Sequence, residues 1–211
     1  YNVSNILAAI GVGLAEKVDI DKIQLGIRKV SHIPGRFETI ACGQDFWVVV
    51  DFAHTPDALN RLLETSRRLQ PRRIITVFGC GGDRDKMKRF PMGRIAATLS
   101  NYIIITSDNT RREDPMAIAR QIEEGVCSIR NNERSKDEDI DISQKYEIIL
   151  DRYEAIERAV FMAESKDMIV IAGKGHEQYL TIGPKRIPFD DRQVARKILY
   201  NRKPAYYEEV I

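Results

Sequence analysis

Residues 72–106 read RRIITVFGCGGDRDKMKRFPMGRIAATLSNYIIIT, and this stretch decides the fold. RRIITVF (72–78) is a β-rich apolar run, and GCGGDRDKMKR (79–89) is a glycine-rich, charged loop. PMGRIAATLS (91–100) has helical spacing, and NYIIIT (101–106) is a second strand. A strand, a helix of about a dozen residues and another strand make a βαβ unit. Its crossover is right-handed, and its two strands lie parallel.

The same alternation extends in both directions. Upstream, FWVVVD (46–51) is a strand and PDALNRLLETSRRL (56–69) a helix. Downstream, SDNTRRED (107–114) is a loop and PMAIARQIEEGV (115–126) a helix, followed by a polar stretch, RNNERSKDEDIDISQ (130–144), that reads as a solvated loop. The strand YEIIL (146–150), the helix DRYEAIERAVFMAE (151–164) and the strand DMIVIAG (167–173) then lead into the loop KGHEQ. A hairpin about Gly183-Pro184 precedes a last helix opening at Asp190-Asp191. The fold class is therefore α/β: a Rossmann-like, doubly wound and mostly parallel sheet whose ligand edge lies at the strand C-termini. Four loops share that edge: Asp51–Thr55, Gly79–Arg89, Thr106–Asp114 and Gly173–Gln178.

Ahead of the sheet, NVSNILAAIGVGLA (2–15) and DIDKIQLGIRKV (19–30) are helical, and Ser31-His32-Ile33-Pro34-Gly35 reads as a linker. This gives a helical segment, 1–33, and a domain, 34–211. The chain opens on Tyr1 rather than Met and passes straight into a helix, which suggests a piece of something longer.

Of the 211 residues, 43% are apolar, enough to bury a real core. Thirty-three Lys and Arg against 31 Asp and Glu leave a net charge of +2, too balanced for a duplex nucleic-acid partner. No apolar run reaches the roughly 18 residues of a membrane helix, so no membrane partner is expected. Cys42, Cys80 and Cys127 are odd in number and far apart, which suits a reducing cytoplasm and makes neither a disulfide framework nor a zinc site.

The glycine-rich loop departs from a nicotinamide dinucleotide fingerprint. Arg84 stands where the third glycine of G-x-G-x-x-G belongs, and the next strand ends at Asp108, too far on for the ribose-binding acid. Charges of both signs from Asp83 to Arg89, beside bare backbone, suit an anionic or zwitterionic ligand. Gly173-Lys174-Gly175-His176-Glu177 is no P-loop either, but its glycines let main chain approach a ligand, and Glu177 can grip an ammonium. Asp108-Asn109-Thr110-Arg111 offers a carboxylate, an amide and a guanidinium, and it also reads as an Asx turn entering the helix at Pro115. His32, His54 and His176 lack metal-ligand spacing.

Taken in order, Asn2-Val3-x-Asn5 with Ala8-Ala9, Pro34-Gly35-Arg36-Phe37-Glu38, Asp51-Phe52-Ala53-His54-Thr55-Pro56, Gly79–Arg89, Asp108–Pro115 and Gly173–Glu177 resemble the Mur ligases. Within that family they look like the members that add the third peptide residue in peptidoglycan synthesis. The resemblance covers nearly the whole chain. It implies the tail of a central ATPase domain (1–33) followed by a C-terminal amino-acid-binding domain (34–211). The family's P-loop, carbamylated lysine and principal magnesium ligands would lie in domains missing from this chain, so no metal ligand is assigned here, and the chain alone would form no amide bond. The implied reaction is an ATP- and Mg²⁺-dependent amide ligation through an acyl phosphate, joining meso-diaminopimelate to UDP-N-acetylmuramoyl-L-alanyl-D-glutamate.

By the same resemblance, Asn2, Asn5, Arg36, Asp51 and His54 would face ATP. Arg84, Asp108, Asn109, Thr110, Arg111, Gly173 and Glu177 would bind meso-diaminopimelate: Arg84 and Arg111 to its carboxylates, Glu177, Asp108 and Asn109 to ammonium groups. Two departures stand out. The diaminopimelate-adding members read Asp-Asn-Pro-Arg where this chain has Thr110, and Met87 stands where a related loop often has Gly. Loss of the proline removes a preset φ and adds a backbone donor, but it keeps the selecting cation. A lysine-adding homologue, a folylpolyglutamate synthetase-like ligase and a non-catalytic amino-acid-binding module are the alternatives.

Overall fold

The computed structural model describes residues 2–30, 32–133 and 146–202. They fall into two compact units, Tyr1–Ile33 and Pro34–Ile211.

The first unit is a helix pair, α1 (Asn2–Ala15) and α2 (Ile20–Lys29). Lys17 turns the chain between them with φ 57°. The Asp19 carboxylate then caps α2 by accepting from the Asp21 amide at 2.9 Å. Ile23 is buried, whereas Val3, Leu7 and Val12 of α1 remain exposed.

The second unit is built on a six-stranded sheet: β1 (Glu38–Thr39), β2 (Trp47–Asp51), β3 (Ile74–Phe78), β4 (Tyr102–Ile105), β5 (Tyr146–Ile148) and β6 (Met168–Ala172). The spatial order is β1-β2-β6-β3-β4-β5. Every neighbouring pair is parallel except β1 with β2. Helices α3 (Pro56–Arg68), α4 (Arg89–Leu99), α5 (Pro115–Glu133), α6 (Arg152–Met162) and α7 (Asp191–Arg202) complete the unit. Alternation along each strand explains the two layers. Ile74 and Phe78 of β3 pack with Leu59, Met92 and Ile122 of α3, α4 and α5. Ile75 and Val77 pack with Ile156 and Val160 of α6 and with Ile198 of α7. Strand β6 is buried along its whole length, as a continuous apolar run between two helix layers should be. The doubly wound, mostly parallel sheet read from the sequence is the observed fold.

Differences sit at element ends. Helix α4 begins at Arg89 rather than at Pro91, because Arg89 turns into the interior, 1% exposed. Helix α5 continues to Glu133, past the expected end at Val126 and into the stretch read as a solvated loop. The remainder of that stretch lies outside the described residues. Strand β1, two residues long and antiparallel, was not anticipated. The expected hairpin exists as β7 (Tyr179–Ile182) and β8 (Lys185–Pro188), a separate two-stranded sheet.

Register levels the ligand edge. Asp51 pairs with Ala172, Val77 with Ile171 and Phe78 with Ile105, so β2, β6, β3 and β4 end side by side. All four loops singled out in the sequence leave from these ends.

Candidate functional site

Three of the four loops are held against one another by backbone contacts. The Gly82 amide donates to the Asn109 carbonyl at 2.9 Å, and a Cβ at Gly82 would stand 2.0 Å from the Thr110 carbonyl oxygen. Only a residue without a side chain permits that approach. Gly173 has φ 114°, and a Cβ there would meet the Asp108 carboxylate at 3.1 Å. The Gly79–Arg89, Thr106–Asp114 and Gly173–Gln178 loops therefore share one wall.

Arg111 sits in that wall with φ 51°. Its Nη1 donates to the carbonyls of Gly82, at 2.7 Å, and of Asn109, at 3.2 Å. The guanidinium is thus aimed by main chain, which leaves its other donors for a ligand. Thr110 is buried, and its carbonyl accepts from the Glu113 amide at 3.1 Å, so the turn closes without proline. Arg84 is exposed, and it flanks Gly81 together with Arg111. Asp108 is buried and accepts from the Asn109 amide at 2.5 Å.

Glu177 receives the Asn109 side-chain amide and the Lys174 ammonium, each at 2.9 Å and both on Oε2. Burial pushes its carboxyl up, but the Lys174 and Asn109 hydrogen bonds outweigh burial and hold it below the usual range. Asn109 also accepts from the Thr181 amide at 2.8 Å. Both ends of its amide are therefore engaged by the protein. Expected from the sequence to meet a ligand ammonium, Asn109 in the structure braces Glu177 against β7.

The fourth loop forms a second cluster at the end of β2, tied to the others where the Gly173 amide donates to the Asp51 carbonyl at 3.1 Å and Lys88 Nζ to the His54 carbonyl at 2.9 Å. Phe52 has Arg36 over its ring at 5.1 Å and the His54 ring against its edge at 4.6 Å, with the His176 ring at 5.5 Å. The Asp51 carboxylate points inward, accepting from the amides of Phe37 and Ala53 at 2.7 and 2.8 Å. Burial raises its pKa against those amides and against Arg36. An exposed guanidinium beside a flat ring suits a nucleotide, whereas Asp51 shapes the loop from within. Asn2 and Asn5 lie on α1, in the first unit. Among the described residues, no three His, Cys, Asp or Glu side chains converge as a metal site.

Several supporting residues escaped sequence reasoning. Lys174 is wholly buried and bonds Glu177 and the Tyr179 carbonyl. Arg89 grips Glu113 with both Nη atoms and also reaches Gln121 and the Gly81 carbonyl. Its hydrogen bond, and that of the Asp83 amide, push the Glu113 carboxyl down to about 2. Arg152 and Asp191, both inaccessible, form a two-pronged ion pair that also holds the carbonyls of Ser107 and Ala172.

The family model described as Mur ligase, glutamate ligase domain, matches residues 35–175. The chain belongs to the Mur ligase family. One Mur ligase relative, the UDP-N-acetylmuramoyl-L-alanyl-D-glutamate–2,6-diaminopimelate ligase of Syntrophomonas wolfei, is 47% identical over 94% of this chain and 38% of that protein. The same-named ligase of Fusobacterium nucleatum is 42% identical over 96% of this chain and 39% of its own length. A solved structure bearing that name superposes with a TM-score of 0.69 at 37% identity, covering 95% of this chain and 38% of the other. A folylpolyglutamate synthase/dihydrofolate synthase from Yersinia pestis shares the fold alone, at 16% identity and a TM-score of 0.53 over 88% of this chain and 35% of that one. This chain therefore spans well under half the length of the Mur ligases it matches. Among its described residues no helix is long and apolar enough to cross a membrane.

Proposed function

We propose that this chain is the amino-acid-presenting part of an ATP-dependent ligase that joins meso-diaminopimelate to UDP-N-acetylmuramoyl-L-alanyl-D-glutamate. One observation carries the reading: Arg111 is aimed by the Gly82 and Asn109 carbonyls, while Asn109 also braces the Glu177 carboxylate. A fixed cation and a fixed anion on one wall are what an amino acid with charged groups of both signs requires. The names and high identity of the relatives support the same substrate.

The roles follow from the chemistry of each group. Arg111 pairs the far carboxylate of diaminopimelate, the group that lysine lacks. Arg84, exposed on the neighbouring loop, takes the other carboxylate, and Glu177 and Asp108 take ammonium groups. Gly173 lets main chain come close. The arrangement holds an amine in line for an activated carboxyl group, converting a bimolecular encounter into an oriented one. ATP, when bound, supplies the activating phosphoryl group. Arg36, beside the Phe52 and His54 rings, provides a cation for its phosphates, and Asp51 fixes that loop. The Mg²⁺ that accompanies ATP would be held mainly by the proposed remainder of the enzyme, as the family resemblance implies. A soluble, cytoplasmic location accords with a substrate made from UDP.

The test is competition between amino acids in the whole ligase. Diaminopimelate is expected to be used and lysine to be poorly used, because lysine leaves Arg111 without its anion. Equal use of lysine would refute the assignment and make the lysine-adding alternative the better reading, with Thr110 as its origin.

A further inference from the structure

We propose that Lys174 is a positioning residue of the amino-acid site: its buried ammonium fixes the Glu177 carboxylate and fastens the β7–β8 hairpin to the same loop. The inference rests on the reading above, in which Glu177 receives a substrate ammonium.

The pair is one-sided. The Lys174 side chain has no accessible surface, whereas 38% of the Glu177 side chain is exposed. The cation lies beneath, and the carboxylate forms the lip. Lys174 Nζ and Asn109 Nδ2 both donate to Oε2 of Glu177, and among the described residues none donates to Oε1. One oxygen is anchored and the other is presented. A freely rotating Glu would lose side-chain entropy on binding, so an anchored one binds an ammonium more tightly for the same contact.

A charge at this depth is otherwise unfavourable. A methionine fills similar volume without the desolvation penalty of a buried ammonium. Lys174 therefore does more than fill space, and its second bond shows what. It donates to the Tyr179 carbonyl at the start of β7. From there Thr181 bonds Asn109 and Arg111, and the Gly183 amide bonds the Arg111 carbonyl at 2.6 Å. The hairpin, the Arg111 loop and Glu177 thus form one hydrogen-bonded unit, with Lys174 at its root. Removing the ammonium leaves Glu177 on Asn109 alone and loosens the strand that holds Arg111 in its left-handed conformation.

The experiment measures steady-state kinetics in the whole ligase with Lys174→Met and Lys174→Gln. The glutamine variant retains a donor for the Tyr179 carbonyl, so it carries the test should the methionine variant fail to fold. Each is expected to raise the KM for diaminopimelate by about 10-fold or more, leaving the KM values for ATP and the UDP-substrate within about twofold. Combined with Glu177→Gln, the Lys174→Gln variant, which keeps a donor for the Tyr179 carbonyl, should add little to the single Glu177 change, because what it loses acts through Glu177. Fully additive effects, or Lys174 variants that lower only the melting temperature, overturn the proposal while Glu177 keeps its assigned place. An unchanged diaminopimelate KM in Glu177→Gln overturns the site reading and the proposal with it.

Discussion

Arg152→Ala is the perturbation whose consequences the structure states most fully. The guanidinium makes four hydrogen bonds: Nε and Nη2 to the two Asp191 oxygens at 2.8 Å, Nη1 to the Ser107 carbonyl at 3.2 Å, and Nη2 to the Ala172 carbonyl at 3.1 Å. Both side chains are fully inaccessible. Truncation leaves Asp191 charged and buried without its partner, a loss of about 3–5 kcal/mol. For a chain of this length that lowers the melting temperature by roughly 6–20 °C. The companion variant, Arg152→Met with Asp191→Leu, removes both charges and recovers most of the loss. It still leaves the two carbonyls without donors, so a deficit of about 1–3 kcal/mol remains. Equilibrium urea unfolding of the 211-residue chain, followed by circular dichroism and Trp47 fluorescence, measures all three proteins. A loss below about 1 kcal/mol in Arg152→Ala would refute the reasoning, since no buried unpaired carboxylate costs so little. So would a double variant no more stable than the single one.

The remaining predictions are narrower. Arg111→Ala in the whole ligase should reduce diaminopimelate use by about 100-fold or more and leave the poor use of lysine nearly unchanged, measured as kcat/KM for each amino acid. Gly82→Ala should displace the Thr110 carbonyl, which a Cβ would approach to 2.0 Å, and raise the diaminopimelate KM with little effect on that for ATP. Glu113 is held at about 2 in the folded protein against an ordinary 4.5, so its contribution is fully present above pH 4.5 and is lost as pH falls toward 2. Urea midpoints taken across that window should fall less steeply in Glu113→Gln than in wild type, and parallel slopes would contradict the Arg89–Glu113 brace.

What the sequence disclosed, and what it hid, divides along the range of the interactions. DMIVIAG reads as a doubly buried strand because burial on both faces imposes a continuous apolar run, a local signature. The helices after β2 and β5 were legible from equally local spacing, and in the structure the Thr55 and Asp151 side chains cap the amides three residues on. Strand β1 has only two residues, Glu38 and Thr39, too few to display any period. Helix α5 ran past its expected end because a high density of charge after Val126 resembles a solvated loop, although an exposed helical face has the same composition. The site shows the same divide. Arg111 and Glu177 stood out as chemistry on glycine-bearing loops, but the task of Asn109 is set by Thr181, 72 positions away. Nothing near Lys174 in the sequence reveals that its side chain turns beneath the sheet edge.

The hidden residues are what make the visible ones usable. Lys174 and Arg152 are both inaccessible, and they lie under an edge that carries Asp108 and Glu177. Burial opposes the charge on Arg152, and Asp191 at bonding distance, with Asp108 and Glu177 farther off, more than restores it. Two acidic groups on neighbouring loops repel one another, and a motif that only brought them together would favour protonating one of them. A floor of buried cations offsets that repulsion from below, so Glu177 can stay ionised in a half-buried site and meet an incoming ammonium as an anion. Of the arginines proposed to meet carboxylates, Arg84 stands on the Gly79–Arg89 loop and Arg111 on the loop of Asp108, where main-chain carbonyls orient its guanidinium. Parallel strands ending level give four loops from one edge, and ion pairs of Arg112 with Asp83 and of Arg89 with Glu113 lock the Gly79–Arg89 loop to the Thr106–Asp114 loop. In the proposed function, a zwitterionic amine then meets groups of both signs held on one braced wall, which no exposed cluster of freely moving charges could offer it.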